Sequence, residues 1–174
     1  RPFRSSSSVG NVFIALDTGG VASIDAATGM QKWRRHLANT TAGGRDAAYS
    51  VWGIPIVATV GDFETLFVPC YDSNLYALNA ADGSRLWNHS SYDDFGRPYM
   101  ISADPVLSKD GKVVFYVSLS NYVYALDAQT GAEKWKFEGP NAYELASSSP
   151  ALSPDGTRLY IGSGTGTQNQ GCFV

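Results

Sequence analysis

"ALDAQTGAEKW" (residues 125–135) is one of three versions of a single phrase in this 174-residue chain. The other two are "ALNAADGSRLW" (77–87) and, with more substitutions, "SIDAATGMQKW" (23–33). Each version joins an alternating apolar strand to an acid or amide, a glycine and a tryptophan at similar offsets. Trp33, Trp87 and Trp135 therefore recur at intervals of 54 and 48 residues. Such a period indicates an array of similar units that pack on one another.

A proline marker recurs with the same drifting period. The phrases "RPFRSS", "GIPIVA", "ADPVLS" and "SSPALS" place Pro2, Pro55, Pro105 and Pro150 at intervals of 53, 50 and 45 residues. Two independent markers with one period make a structural repeat a far better explanation than coincidence.

The third repeat reads as four short strands joined by hairpins. "DPVLS", "VVFYVSLS", "NYVYALDA" and "EKWKFEG" are separated by the turn residues "KDG" and "QTG". Four antiparallel strands in this length are typical of a propeller blade. The sequence thus predicts an all-β β-propeller with three full blades and part of a fourth. The predicted bounds are about 1–38 for blade 1, 49–91 for blade 2, 99–139 for blade 3 and 146–174 for the partial blade 4.

Each residue type of the repeated phrase has a structural role in this interpretation. A side-chain oxygen at the end of the third strand can accept a backbone N–H of the following turn; the candidates are Asp25, Asn79 and Asp127. Glycine supplies the left-handed conformation of the hairpin; the candidates are Gly29, Gly83 and Gly131. The three tryptophans lie on the outer strand, where an indole can cover the seam between blades.

Composition excludes several function classes. The chain is 44% hydrophobic and 17% charged, with 18 Gly and 10 Tyr but only 2 Met, which favours strands and turns over helices. A formal net charge of −3 without a basic stripe gives no electrostatic basis for nucleic-acid binding. No apolar run approaches the length of a membrane span.

The phrases "LYALNAADGSRLW" and "VYALDAQTGAEKW" resemble the tryptophan-docking repeat of the quinoprotein-type (PQQ-like) β-propellers. The resemblance extends over essentially the whole chain. It implies a propeller fold but several activities, because the family includes PQQ-dependent dehydrogenases, a scaffold subunit of the outer-membrane β-barrel assembly machine, and stress-sensing lumenal domains. Family members resemble rings of seven or eight blades, so we expect the chain to be a fragment, or a protein partner to complete the ring.

Candidate ligand residues lie in the loops that lead into blades 2, 3 and 4, because these loops depart most from the repeat. Trp52 is either a stacking platform for a flat or sugar-like ligand or a ring packed in the channel wall. Asp93, Asp94, Arg97 and Asp104 either hold a cation or orient an anion, or form a solvated loop with one ion pair. Glu144 carries the same two alternatives.

The enzymatic alternative is a segment of a PQQ-dependent dehydrogenase, for which the resemblance implies PQQ, calcium and a vicinal cysteine pair. This chain has no Cys-Cys sequence. Nucleophilic and metal chemistry have no motif either, and His36 and His89 are interpreted as ordinary surface histidines. The favoured hypothesis is a non-catalytic scaffold or binding module without a cofactor.

Two further expectations concern location and covalent state. Asn39 and Asn88 match the glycosylation sequon, are expected in loops, and favour a secreted, extracellular or periplasmic protein. Cys70 and Cys172 would lie two blades apart, too far for a disulfide, so we predict that they are not bonded to each other.

Overall fold

The computed structural model describes residues 5–8, 10–16, 19–37, 51, 53–92, 95–139 and 148–162. Every regular element within these ranges is a β-strand, so the all-β prediction is confirmed. None of the described residues forms a helix that is long and apolar enough to cross a membrane.

The described strands form three four-stranded antiparallel sheets and one two-stranded sheet, each in chain order. Sheet 1 contains β1 (Ser5–Ser8), β2 (Asn11–Leu16), β3 (Gly20–Asp25) and β4 (Gln31–His36). Sheet 2 contains β5 (Ile56–Val60), β6 (Phe63–Pro69), β7 (Asn74–Asn79) and β8 (Arg85–Ser90). Sheet 3 contains β9 (Val106–Leu107), β10 (Val113–Val117), β11 (Tyr122–Asp127) and β12 (Glu133–Glu138). Sheet 4 contains β13 (Ala151–Leu152) and β14 (Leu159–Tyr160).

The proline marker opens the innermost strand of its sheet. Pro55, Pro105 and Pro150 directly precede β5, β9 and β13, where a missing backbone N–H removes no ladder hydrogen bond. Pro2 lies outside the described residues.

The same β-bulge interrupts the pairing of the third and fourth strands in each complete sheet. In sheet 3 it falls between Ala125, which pairs with Trp135, and Leu126, which pairs with Glu133. Because Ala125 and Leu126 point to opposite faces, Trp135 and Glu133 also point to opposite faces although they are two residues apart. The bulge therefore lets one outer strand present an indole to the following sheet and a polar side chain to the preceding one.

Most of the core lies between the sheets. We call the contact of sheets 1 and 2 the first seam and that of sheets 2 and 3 the second seam. The first seam buries Phe13, Val21, Leu66, Val68, Tyr76 and Leu78 among others. The second seam buries Phe67, Leu75, Val114, Tyr116, Tyr124 and Leu126 among others. Sheet 4 continues this order, since Leu159 and Ile161 pack on Ala103, Val117 and Val123.

Two sequence interpretations are wrong in detail. Asn88 lies inside strand β8 rather than in a loop, because that strand continues past Trp87 to pair Ser90 with Asn74. His89 is not an ordinary surface histidine, because its ring lies in the second seam and its side chain is only 17% exposed. His36, at the end of β4, is exposed as expected.

Candidate ligand-binding site

The lead-in loops carry the ligand candidates, and the structure describes two of these residues. Arg97 and Asp104 lie in the segment between β8 and β9. The candidates Trp52, Asp93, Asp94 and Glu144, together with Asn39 and Cys172, lie outside the described residues.

Asp104 connects the starts of neighbouring sheets. Its Oδ1 accepts a hydrogen bond from the backbone N of Ile54, at the entry to sheet 2. Its own backbone N donates to Ser149 Oγ, at the entry to sheet 4, over 3.0 Å. Ile54, Asp104 and Ser149 all directly precede the proline of their repeat. Through its carboxylate and its backbone N, Asp104 therefore ties the innermost edges of three sheets together, a structural use that sequence reasoning did not propose.

Arg97 lies on a small hairpin that ends in an exposed aromatic ring. Tyr92 and Pro98 form an antiparallel bridge, and Phe95 between them is 83% exposed. The Arg97 guanidinium lies 5.2 Å from the centroid of the Phe95 ring, within cation–π range. At its base, Tyr99 N donates to Ser91 O over 3.1 Å. The hairpin thus presents an apolar and a cationic group together on an anchored base.

Two of the three repeat tryptophans bind the next sheet in the same way. The indole N–H of Trp33 donates to Ala80 O over 3.0 Å, and that of Trp87 donates to Ala128 O over 3.2 Å. Each indole covers the hairpin glycine that follows: a Cβ on Gly83 would lie 2.7 Å from the Trp33 ring, and one on Gly131 would lie 2.6 Å from the Trp87 ring. Only glycine leaves room for these contacts.

Trp135 has the same position within its own sheet but a different environment. Its ring packs beside Phe115 with centroids 5.8 Å apart, as Trp33 packs beside Phe13 and Trp87 beside Phe67. The side chain of Trp135 nevertheless remains 44% exposed. The face of sheet 3 that points away from sheet 2 therefore retains apolar surface near its outer edge.

Sheet 1 also has an apolar outer face. Ile14, Leu16, Ala22 and Ile24 line a shallow cavity there, on the side opposite to the first seam. The outer face of sheet 1 and the outer edge of sheet 3 thus both present apolar side chains, as expected of sheets that are stacked in series.

The acid or amide at the end of each third strand organises its hairpin. Asp25 Oδ1 accepts from Ala27 N and Thr28 N at 3.0 and 2.9 Å. Hydrogen bonding to Thr28, with a contribution from Lys32, lowers the pKa of Asp25 to about 2. Asn79 and Asp127 accept equivalent turn amides. Gly29, Gly83 and Gly131 follow with φ of 72°, 73° and 74°.

Sequence reasoning missed a polar cluster in the second seam. His89 Nδ1 lies 2.7 Å from Tyr116 Oη, and His89 Nε2 lies 3.4 Å from a Glu133 carboxylate oxygen. Tyr116 stacks on Tyr124 with ring centroids 4.8 Å apart. The available signal was positional: His89 follows Trp87 by two residues on an alternating strand and so faces the next sheet.

Metal ligation has little support in the ranges that the structure describes. No group of three or more His, Cys, Asp or Glu side chains converges there. Asp82, Asp110 and Asp155 each accept a nearby backbone N–H of their own turn. Turn formation therefore accounts for these Asp-Gly sequences.

Comparison with known proteins identifies related sequences. The family model described as "Outer membrane protein assembly factor BamB" matches residues 7–168. Quinohemoprotein alcohol dehydrogenase ADH IIB of Pseudomonas putida is 26% identical over 91% of this chain and 27% of its own length. Quinohemoprotein alcohol dehydrogenase ADH-IIG of the same organism is 32% identical over 58% of this chain and 14% of its own. The chain thus spans only about a quarter or less of these relatives.

Solved structures show the same fold. BamB from Moraxella catarrhalis superimposes with a TM-score of 0.64 at 19% identity, covering 88% of this chain and 40% of that one. Quinohemoprotein alcohol dehydrogenase from Comamonas testosteroni gives a TM-score of 0.71 at 18% identity, covering 92% of this chain and 28% of that one. These likenesses confirm the predicted β-propeller with an incomplete ring.

Proposed function

The chain belongs to the PQQ-like β-propeller repeat family, and we propose that it is part of a non-catalytic propeller that acts as a scaffold or binding module. One observation carries the proposal. Asp104, the described carboxylate of the lead-in loops, bridges the backbone of sheet 2 to sheet 3 instead of standing in an arrangement suited to catalysis. The repeat tryptophans and hairpin acids are likewise engaged in sheet contacts and turns.

The binding surface that we propose is the hairpin with Phe95 at its tip. Aromatic, methionine and arginine side chains are enriched at the centre of protein–protein interfaces. Tyr92 and Met100 are 47% and 41% exposed beside it, which enlarges the apolar contact. We therefore propose a protein partner at this end of the propeller, in addition to further blade strands against the outer face of sheet 1 and beside the exposed outer edge of sheet 3.

We propose a periplasmic or extracellular location for this propeller. The family model's description names an outer-membrane assembly factor, which supports that location by relationship. The Asn88 side chain is exposed but donates to Asn74 Oδ1 over 3.1 Å, so a glycan there would displace that hydrogen bond. For an extracellular protein, we include N-glycosylation of Asn88 or Asn39 in the proposal.

A segment of a quinoprotein dehydrogenase is the second candidate. Its support is that the two curated relatives described above are both quinohemoprotein alcohol dehydrogenases. The described residues do not fit the quinone cofactor, however. Cys70 is fully buried in the first seam and has no adjacent cysteine; burial, reinforced by Asp72, raises the pKa of its thiol. The Asp104 carboxylate is already engaged as the acceptor of Ile54 N.

The two functions predict different outcomes of cofactor binding. Protein from its native source is denatured with acid, and the supernatant is examined for quinone absorbance and calcium. A scaffold releases neither in stoichiometric amount, whereas one quinone per chain would overturn the proposal. A second experiment titrates the purified chain with PQQ and calcium and uses tryptophan fluorescence as the readout. We expect no saturable quenching of the fluorescence, either in the wild-type chain or in an Asp104→Asn variant.

A further inference from the structure

His89 lies between three side chains of sheet 3 at the centre of the second seam. Tyr116 on β10 contacts its Nδ1, Glu133 on β12 contacts its Nε2, and Tyr124 on β11 packs against its ring edge with centroids 5.3 Å apart. The side chain of Tyr116 is completely buried. This cluster, defined as His89, Tyr116 and Glu133, is the polar centre of an otherwise apolar contact.

The geometry determines which nitrogen of neutral His89 carries the proton. The Tyr116 phenol is protonated, because burial raises its pKa well above the ordinary value, and such a hydroxyl can donate or accept. The Glu133 carboxylate beside Nε2 can only accept, so Nε2 must be the donor and Tyr116 donates its hydrogen to Nδ1. The remaining nitrogen, Nε2, therefore carries the imidazole hydrogen and points it at the Glu133 carboxylate. Neutral His89 thus has a suitable partner on both sides of its ring.

A second proton on His89 disrupts this arrangement. It would occupy Nδ1 and face the hydroxyl hydrogen of Tyr116, so that hydroxyl must turn away from its partner within a completely buried site. A buried donor that loses its acceptor costs about 1–3 kcal/mol. Glu133 favours the charged ring, whereas burial opposes it; the burial effect is larger and lowers the pKa of His89 below 6.5. Lys136, on the same face of sheet 3, adds a positive charge near Tyr124.

The first seam supplies a comparison within the chain. The registers of the two seams make Arg35, Val68 and Arg85 the equivalents of the histidine, the tyrosine and the glutamate. There Arg35 donates to the backbone oxygen of Asp82 over 2.9 Å. A propeller seam of this family therefore forms without a histidine, a tyrosine and a glutamate at these three positions, and general packing requirements do not explain their presence in the second seam.

The cluster is also connected to the exposed hairpin. Ser91, two residues beyond His89, contacts Ser118 Oγ through its own hydroxyl and accepts Tyr99 N at its backbone oxygen. Tyr124, which stacks on Tyr116, donates to Tyr92 O over 3.2 Å. Loosening the second seam thus removes the supports at the base of the hairpin that carries Phe95.

We propose that His89, Tyr116 and Glu133 form an acid-sensitive latch, which holds sheets 2 and 3 together while His89 is neutral and weakens when His89 takes up a proton. The direction follows from linkage: the closed seam binds the proton less tightly than the open seam, so acid favours opening. The loss of seam stability begins as the pH falls below the pKa of an exposed histidine, about 6.5. It levels off once the pH is below the lowered pKa that His89 has in the closed seam.

The test compares the two histidines of the chain. Amide hydrogen exchange is measured between about pH 8 and about pH 5, the range in which histidine titrates, and expressed as protection factors. In the wild type we expect severalfold loss of protection at acid pH in segments 85–92 and 113–118. A His89→Gln variant, which can both accept and donate without titrating, should lose this response. A His36→Gln variant removes the exposed histidine and should retain it, while segments 31–37 and 66–70 of the first seam stay protected.

Histidine NMR of the wild type provides a measurement that does not depend on the folding of a variant. We expect the Nε2–H tautomer of His89 at neutral pH. The proposal is wrong if His89 is the Nδ1–H tautomer, or if the first seam loses protection in parallel with the second. An acid response that persists in His89→Gln or disappears in His36→Gln contradicts it equally.

Discussion

The contact between a repeat tryptophan and the next hairpin can be tested with two glycines that differ in one respect. Gly131 and Gly29 occupy equivalent hairpins, with φ of 74° and 72° and the same N–H to Asp127 O or Asp25 O hydrogen bond. A Cβ on Gly131 would lie 2.6 Å from the Trp87 ring, whereas a Cβ on Gly29 has no described atom within 4 Å. Alanine therefore strains both backbones alike but meets an indole only at Gly131.

The expected costs follow from this difference. The left-handed conformation costs an alanine about 1–2 kcal/mol at either position. At Gly131 the forced displacement of the indole adds about 1–3 kcal/mol, as overpacking of a well-packed contact does. We expect Gly29→Ala to lower the free energy of unfolding by about 1–2 kcal/mol and Gly131→Ala by about 2–5 kcal/mol. The difference between the two measures the contact itself.

Urea unfolding, followed by circular dichroism and tryptophan fluorescence, measures both variants. A Trp87→Ala background supplies the coupling term, because without the indole Gly131→Ala should cost no more than Gly29→Ala. Equal losses in the two single variants, or a Gly131→Ala cost that is unchanged without Trp87, would refute the reasoning that the indole requires glycine beneath it.

Three further outcomes are expected. Removing the ring of Trp87, which is partly buried in the second seam, should cost about 3 kcal/mol, whereas Trp135→Ala should cost clearly less because its ring is 44% exposed; similar urea midpoints for both variants would contradict this. Asp104→Ala should lower the free energy of unfolding by about 1.5–3 kcal/mol, because Ile54 N loses its charged acceptor, and Asp104→Asn should lower it by less. Thermal unfolding measures both variants, and a lower melting temperature for Asp104→Asn than for Asp104→Ala would contradict this. The pKa of Asp25 is lowered to about 2, so its stabilising effect is complete above the ordinary value of 3.8 and is lost as the pH falls through about 2; NMR titration of its carboxyl carbon checks this, and an ordinary midpoint would exclude the turn hydrogen bonds.

The strand content and the period could be predicted because they depend on neighbours in the sequence. A strand is recognisable by its alternation, and a hairpin by its glycine, without knowledge of the rest of the fold. The resemblance of the repeated phrase then indicated how the sheets stack. Asn88 was misplaced because the end of β8 depends on the pairing of Ser90 with Asn74, 16 residues away.

The polar contacts between sheets could not be predicted in the same way. The cluster of His89 with Tyr116 and Glu133 joins residues 27 and 44 positions apart through two sheet registers and a bulge. A one-residue error in any of these registers turns the side chain to the opposite face. Asp104 illustrates the same limit, since its acceptor role depends on where Ile54 lies in another sheet.

Comparison of equivalent positions in the three repeats distinguishes residues that the fold requires from residues that it only tolerates. The three repeats agree at the tryptophan and at the hairpin glycine, and these are the positions whose geometry fixes the stacking of sheets. Two residues beyond the tryptophan they disagree, with Arg35, His89 and Phe137 at equivalent positions. A backbone that accepts a cation, an imidazole and a phenyl ring at one position imposes no single chemistry there. The choice of a histidine opposite a tyrosine and a glutamate therefore reflects a requirement other than folding, and the second seam is where a property specific to this propeller should be sought first.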